Sequence, residues 1–265
     1  MDTRTLQTRG SLAEDLQGLG LRPGRTVLVH SSLRSLGWVC GGSQAVIMAL
    51  LDVLGPSGTL VVPTQTSDNT DPATWAHPAV PESWWQIIRE EMPAFDPAVT
   101  PSRGMGAIAE QVRTWPDAVR SGHPQTSFAA VGARALDVVA RHPLACSLGA
   151  DSPLGALETM DAVVLLLGVG YDSCTAMHLA EYRQNDPPEE HVAGAVLDGT
   201  GARVWRTWTD VALDDEDFEQ IGADFEAIDT VSVGRVGAST SRLFSLRDAV
   251  AHATTWMGRH RSHQR

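Results

Sequence analysis

Between Thr26 and Pro63 the chain reads as an apolar run, a polar loop, a helix and a second apolar run, an order that few folds can absorb. Residues 26–30 (Thr-Val-Leu-Val-His) lack polar alternation, as expected of a strand covered on both faces. Ser31-Ser32 follows, Gly41-Gly42 precedes a helix predicted over 44–54, and Gly55-Pro56 stops it. Residues 59–63 form the second run. Two adjacent buried strands joined through a helix imply parallel pairing within an α/β sandwich. Residues 162–170 (Ala-Val-Val-Leu-Leu-Leu-Gly-Val-Gly) form the clearest buried strand of all, ending in glycines.

Other segments fill in around this frame. Leu12, Leu16 and Leu19 mark a helix ending at Gly20, and further helices are predicted over 83–91, 105–114, 129–140 and 175–183. The polar stretch 64–81 is too long for an ordinary connection, and loops of that length are often functional. Residues 203–208 alternate like a strand, and nine acids without a base lie from Asp210 to Asp229. No repeat or low-complexity linker interrupts the chain, so residues 1–265 are read as a single domain.

Composition narrows the chemistry. The 265 residues carry 32 acidic and 20 basic side chains, a net charge of −12, and all 20 bases are arginine. Without lysine there can be no Walker-type phosphate loop, Schiff base or Ser-Lys nucleophile pair. The 43% hydrophobic content supports a core and argues against disorder. An acidic surface repels phosphate backbones, so nucleic acid is not an expected partner, whereas polycations are. Cys40, Cys146 and Cys174 lack zinc-type spacing and are too few for a disulfide framework, so each is read as a small buried hydrophobe in a reducing compartment. The first twenty residues have no apolar signal core, and the run 162–169 is too short for a bilayer; a cytoplasmic protein without membrane contact is expected.

Three segments carry candidate chemistry. The loop His30-Ser31-Ser32-Leu33-Arg34-Ser35-Leu36-Gly37 follows a strand and precedes a helix, where α/β sheets bind anions with backbone N–H groups; Arg34 adds a fork suited to phosphate. It is no dinucleotide fingerprint. Thr100-Pro101-Ser102-Arg103-Gly104-Met105-Gly106 repeats the pattern. Gly168 to Glu181 is richer: a strand ends in glycines, Asp172 or Ser173 can cap a helix, and His178 and Glu181 share one face at i, i+3. A histidine there is well placed as a general base. The acids of 210–229, with Asp68 and Asp71 of the long loop, can serve either as a solvated face or as a site for several ammonium groups. No metal-ligand spacing is present, and Gly41-Gly42-Ser43-Gln44-Ala45 fails the G-x-S-x-G elbow at its last position.

Together these segments resemble the aminoglycoside 3-N-acetyltransferases, the antibiotic N-acetyltransferase family. The carriers are residues 27–37, 54–64, 100–106, 120–128 (Arg-Ser-Gly-His-Pro-Gln-Thr-Ser-Phe) and 165–181, in the family's order. The resemblance implies the family's own α/β sandwich, a central mixed sheet flanked by helices, and not the widespread small acetyltransferase fold. It implies acetyl transfer from acetyl-coenzyme A to the 3-amine of the 2-deoxystreptamine ring, conferring resistance, with no metal and with a monomer or homodimer as the working unit. Coenzyme A would be held by Ser31, Ser32, Leu33, Arg34, Gly37, Ser102, Arg103, Gly104, Met105 and Gly106. The catalytic base would be His178. Its carboxylate partner would follow a Trp-bearing strand, at Asp210, with Asp172 as the close-in alternative. Asp68, Asp71, Asp172, Glu181 and Glu219 are the candidates for the antibiotic's other ammonium groups, and the Ser31–Leu33 amides for the oxyanion. Two rivals remain at this point: an acyltransferase of the same fold acting on another amine, and a non-enzymatic polycation binder.

Overall fold

The apolar runs assemble into one large mixed sheet. The computed structural model describes residues 6–76, 78–228 and 231–261. Chain order begins with a short strand β1 (Leu6–Gln7) and helix α1 (Arg9–Leu19), then β2 (Thr26–Ser31), β3 (Trp38–Val39), α2 (Gly42–Leu54) and β4 (Thr59–Pro63). After the long loop come α3 (Glu82–Glu91), α4 (Gly106–Arg113), β5 (Val119–Arg120), β6 (Phe128–Gly132), α5 (Ala135–Val139) and α6 (Pro153–Thr159). The last third holds β7 (Val163–Leu167), the single-turn α7 (His178–Glu181), β8 (Glu189–Leu197), β9 (Arg203–Val211), α8 (Phe218–Ile228), β10 (Ser232–Val236), β11 (Ser239–Ser245) and α9 (Leu246–His260).

The principal sheet has the order β10-β11-β7-β2-β4-β6-β5. At its centre β2 pairs in parallel with β4 on one side and β7 on the other, while the flanking pairs are antiparallel. The strand period of two sends alternate side chains to opposite faces. Val27, Val29, Leu165 and Leu167 therefore pack beneath α1, α2 and α4, whereas Leu28, Val164 and Leu166 pack beneath α5 to α9. This two-sided burial explains why the central strands carry no polar alternation.

Two departures from the sequence reading have local causes. Residues 129–132, expected to be helical, are strand: Ala129 and Ala130 have helical propensity, yet β6 pairs with β4 across five positions, and tertiary pairing outweighs a weak intrinsic preference. The expected helix 175–183 is instead a 3₁₀ turn, Thr175–Met177, followed by α7, with another 3₁₀ turn, Tyr171–Ser173, just before it. Cys40 is exposed, against the expectation of three buried thiols, and Cys174 alone is fully buried, its thiol pushed up to about 12 by desolvation.

A separate antiparallel hairpin, β8–β9, is fastened over the long loop. Asn69 donates its amide to the Ala195 carbonyl and accepts from the Ala195 N–H, both at 3.0 Å, and Gln125 bridges the Asn69 and Ala193 carbonyls. The loop itself extends the pairing of β4 beyond Pro63, since the Thr64 and Thr66 amides bond the Ser127 and Gln125 carbonyls at 2.8 Å. No helix among the described residues is long and apolar enough to cross a membrane.

Candidate active site

Parallel strands with connections on opposite faces leave a crevice at their carboxyl ends, and here it opens beyond β2 and β7. The loops that leave these strands are tied together. The Ser32 N–H donates to the Leu167 carbonyl at 3.1 Å, and the Ser35 hydroxyl donates to both the Ser32 and Gly168 carbonyls. Gly168 has φ +71, and a Cβ there would run into the Ser35 hydroxyl, so only glycine allows this closure.

The crevice contains two adjoining cavities. The outer one, a groove of about 520 Å³, is lined by Ser31, Ser32, Leu33, Arg34, Gly37, Gly104, Met105 and Gly106, together with Trp38, Val39, Gly42 and Ala107. Gly104 and Gly106, at φ +73 and +82, fold the second turn back against the Ser31 carbonyl. The groove meets the first residues of α2 and α4, and neither helix carries a side-chain cap. Their unbonded N–H groups and positive dipole ends, with Arg34, suit a phosphate-bearing ligand. Two residues of the expected set do not line this groove. Ser102 gives its amide and hydroxyl to Glu110 at 2.9 and 2.7 Å, and Arg103 pairs with Asp68 at 2.8 Å.

The inner cavity, about 230 Å³, shares Ser31, Gly104 and Met105 with the groove and reaches His30, Gln65, Asp172, Asp215 and His178. His178 Nδ1 lies 2.7 Å from Glu181 Oε2. Glu181 is buried, and its other oxygen accepts from Arg261 at 2.6 Å and from the Asp214 amide at 3.0 Å. Arg261 in turn clamps Asp217 at 2.5 and 2.8 Å. Burial works against the guanidinium charge, but Asp217 and Glu181 outweigh it and hold Arg261 above the ordinary arginine range. A neutral imidazole that gives its Nδ1–H to a carboxylate keeps Nε2 bare, so Nε2 is the nitrogen able to take a proton. The Phe218 ring packs 4.7 Å from the imidazole and restricts its rotation.

The carboxylate beside His178 is thus Glu181, not Asp210 or Asp172. Asp210 is fully engaged elsewhere: one oxygen accepts from the Ser147 amide and hydroxyl, at 2.8 and 2.5 Å, and the other from the Tyr182 hydroxyl at 2.9 Å. Asp172 lines the cavity, and its amide donates to Glu219 Oε1 at 3.2 Å, which brings those two acids together. Three acids expected to meet ammonium groups have protein cations instead. Glu181 holds Arg261, Asp68 holds Arg103, and Asp71 takes two bonds from Arg89 while capping the turn at Ala73. Asp229, the last acid of the C-terminal run, lies outside the described residues.

Sequence reasoning gives neither Asp215 nor His30 a role of its own: Asp215 lies within an undifferentiated acidic run, and His30 is only the closing residue of a strand and the first of the candidate anion-binding loop. Among the described residues no cluster of His, Cys, Asp or Glu could hold a metal ion.

Known proteins share this whole architecture. The chain matches the aminoglycoside 3-N-acetyltransferase family profile over residues 28–258. It is 47% identical to the SPbeta prophage-derived aminoglycoside N(3')-acetyltransferase-like protein YokD of Bacillus subtilis, covering 94% of this chain and 92% of that one. The crystal structure of YokD superposes with a TM-score of 0.97 at 44% identity, over 99% and 97% of the two chains. Aminoglycoside N(3)-acetyltransferase VII of Streptomyces paromomycinus is 39% identical over 94% of this chain and 91% of its own. A binary complex of AAC-IIIb with CoASH matches at TM-score 0.84 and 32% identity, over 96% and 97%. The chain belongs to the aminoglycoside 3-N-acetyltransferase family.

Proposed function

We propose that the protein transfers the acetyl group of acetyl-CoA to the 3-amino group of the 2-deoxystreptamine ring of aminoglycosides, with His178 as general base. The observation that carries this reading is the pairing of His178 with the buried Glu181, set in a cavity that opens into the Arg34 groove. Phosphate binding by Arg34 and two uncapped helix starts is the lysine-free solution that the composition demands. The complex of a family member with CoASH supports the same donor.

The chemistry follows from the acceptor. An ammonium has no lone pair, so its proton must leave as nitrogen bonds to the thioester carbon. His178 Nε2 takes that proton, and Glu181 stabilises the imidazolium that results, itself held by Arg261 and the Asp214 amide. Asp172 and Asp215 face the same cavity and provide negative charge for an ammonium-bearing substrate. Both substrates can occupy adjoining cavities at once, so direct transfer needs no acyl-enzyme.

A thiol-release assay with acetyl-CoA and gentamicin, kanamycin or paromomycin tests the reading. Turnover with at least one, lost in His178→Ala with antibiotic binding retained, is expected. An active fold that acetylates other amines but none of these would point to a different acceptor. Antibiotic binding with no turnover, unaffected by His178→Ala, would make it a polycation binder.

A further inference from the structure

Ser31 lines both cavities, so a thioester that enters along the groove reaches His178 by passing the end of β2. His30 stands immediately before that point. It lines the inner cavity and is only 5% exposed, and its Nε2 is buried with no hydrogen-bond partner in the structure. Native interiors leave few such groups unmatched, because burial strips away hydrogen bonds to water that nothing then replaces. The strand period puts His30 on the same face as Leu28, toward the layer that carries α7 and His178. Burial, with His178 nearby, drives its pKa down to about 3, so the ring is uncharged at neutral pH.

An uncharged imidazole offers one N–H and one lone pair. The cavity already presents carboxylates to an amine. One donor near it is already taken, since the Ser32 N–H is committed to the Leu167 carbonyl, whereas the Nε2 of His30 has no protein partner. We propose that His30 is a second catalytic residue, donating its Nε2–H to the thioester oxygen as negative charge gathers there. The proposal rests on the acetyl-transfer reading above.

In the step, the amine lone pair forms the C–N bond and the C=O π pair moves onto oxygen, where His30 donates. The amine proton passes to His178 Nε2. The oxygen pair then re-forms the carbonyl, the C–S bond breaks with its electrons on sulfur, and the imidazolium proton neutralises the thiolate. A neutral donor suits this place better than a cationic one, since it does not repel the charge arriving on His178.

The test compares wild type with His30→Ala, His30→Asn and His30→Gln, using acetyl-CoA and whichever antibiotic the wild type acetylates. His30→Ala should lower kcat by about 10²–10³-fold, the effect of removing one oxyanion donor. KM for acetyl-CoA and CoA binding by calorimetry should stay within about threefold. Asn or Gln, which keep an N–H, should recover at least tenfold of the loss, and the acid limb of the pH–rate profile should not move. A kcat for His30→Ala within threefold of wild type would overturn the proposal, as would Asn and Gln variants no better than Ala. Ring ¹⁵N NMR of the wild type with CoA bound gives an answer independent of variant folding: a proton on Nε2 alone is expected, and one on Nδ1 overturns it. A wild type inert with acetyl-CoA and every antibiotic would overturn the acetyl-transfer reading and this one with it. An active wild type matched by His30→Ala overturns this one alone.

Discussion

At the scale of single residues, the site is a question of which carboxylate a histidine can reach. His178 and Glu181 are three apart on one helical turn, close enough for a 2.7 Å contact that needs no tertiary arrangement. Glu181→Gln should therefore lower kcat by about 10²–10⁴-fold, since the amide no longer stabilises the imidazolium. Asp210→Asn should leave kcat within a few-fold and instead cost about 1–3 kcal/mol of stability, because Ser147 and Tyr182 lose a charged acceptor. Paired kinetics and urea titrations of the two variants check both halves; a severe kcat defect in Asp210→Asn would contradict the geometry. This pair also marks how far the residues can be read unaided. The i, i+3 spacing of His178 and Glu181 is visible in the sequence, whereas the burial of Asp210 against Ser147 is a contact across 63 positions with no local signature. The same holds for Asp68 and Asp71, whose partners Arg103 and Arg89 lie 35 and 18 residues away.

At the scale of elements, the strands that carry the site were legible because burial on both faces leaves an unmistakable apolar run. β4 has the predicted bounds, and β2 and β7 differ from theirs only at the ends. Helix α7 was legible in place but not in length: the helix expected over 175–183 shortens to the single turn His178–Glu181, too brief for periodicity to mark its ends. How α8 seats on the site loop depends on Gly222, where a Cβ would run into the Tyr171 ring. Gly222→Ala should cost about 1–3 kcal/mol by overpacking, even though alanine is the better helix former, and a urea titration measures it. Because α8 also carries Glu219, which bonds the Asp172 amide, KM for the antibiotic should rise in the same variant. The groove is likewise an element-scale construction, formed where α2 and α4 begin. Saturation with CoA at about 100 times its Kd should stabilise the fold by about 2.7 kcal/mol, a rise of several degrees in Tm for a chain of this size. Arg34→Ala should shrink that rise without changing the Tm of the free protein, and an undiminished rise would remove Arg34 from the phosphate site.

At the scale of the whole molecule, the acidic balance acquires a location. Many of the 32 acids meet arginines of the same chain, as in the Glu181–Arg261–Asp217 chain, and Asp172 and Asp215 are left facing the inner cavity. The histidines have the opposite history. His30 and His123 are buried and His142 is half-buried, and desolvation holds them near pKa 3, 4 and 3, each also pressed down or only partly relieved by its neighbours. Above pH 6.5 these rings are neutral in both the folded and unfolded chain, so they contribute nothing to the pH dependence of stability. As pH falls below 6.5 the unfolded chain binds protons that the native protein refuses, and stability declines until the folded values near 4 and 3 are reached. Each ring gives a limiting slope of about 1.4 kcal/mol per pH unit, so three together predict a loss of about 4 kcal/mol between pH 7.5 and 5.5. That is a large fraction of the 5–15 kcal/mol typical of a folded domain. Denaturant titrations at the two pH values should show the midpoint moving to lower denaturant at pH 5.5 with the m-value unchanged. An equal midpoint at both would mean that the three rings accept protons within the native fold, and the buried network of His123, His142 and Ser147 would then have to open in acid.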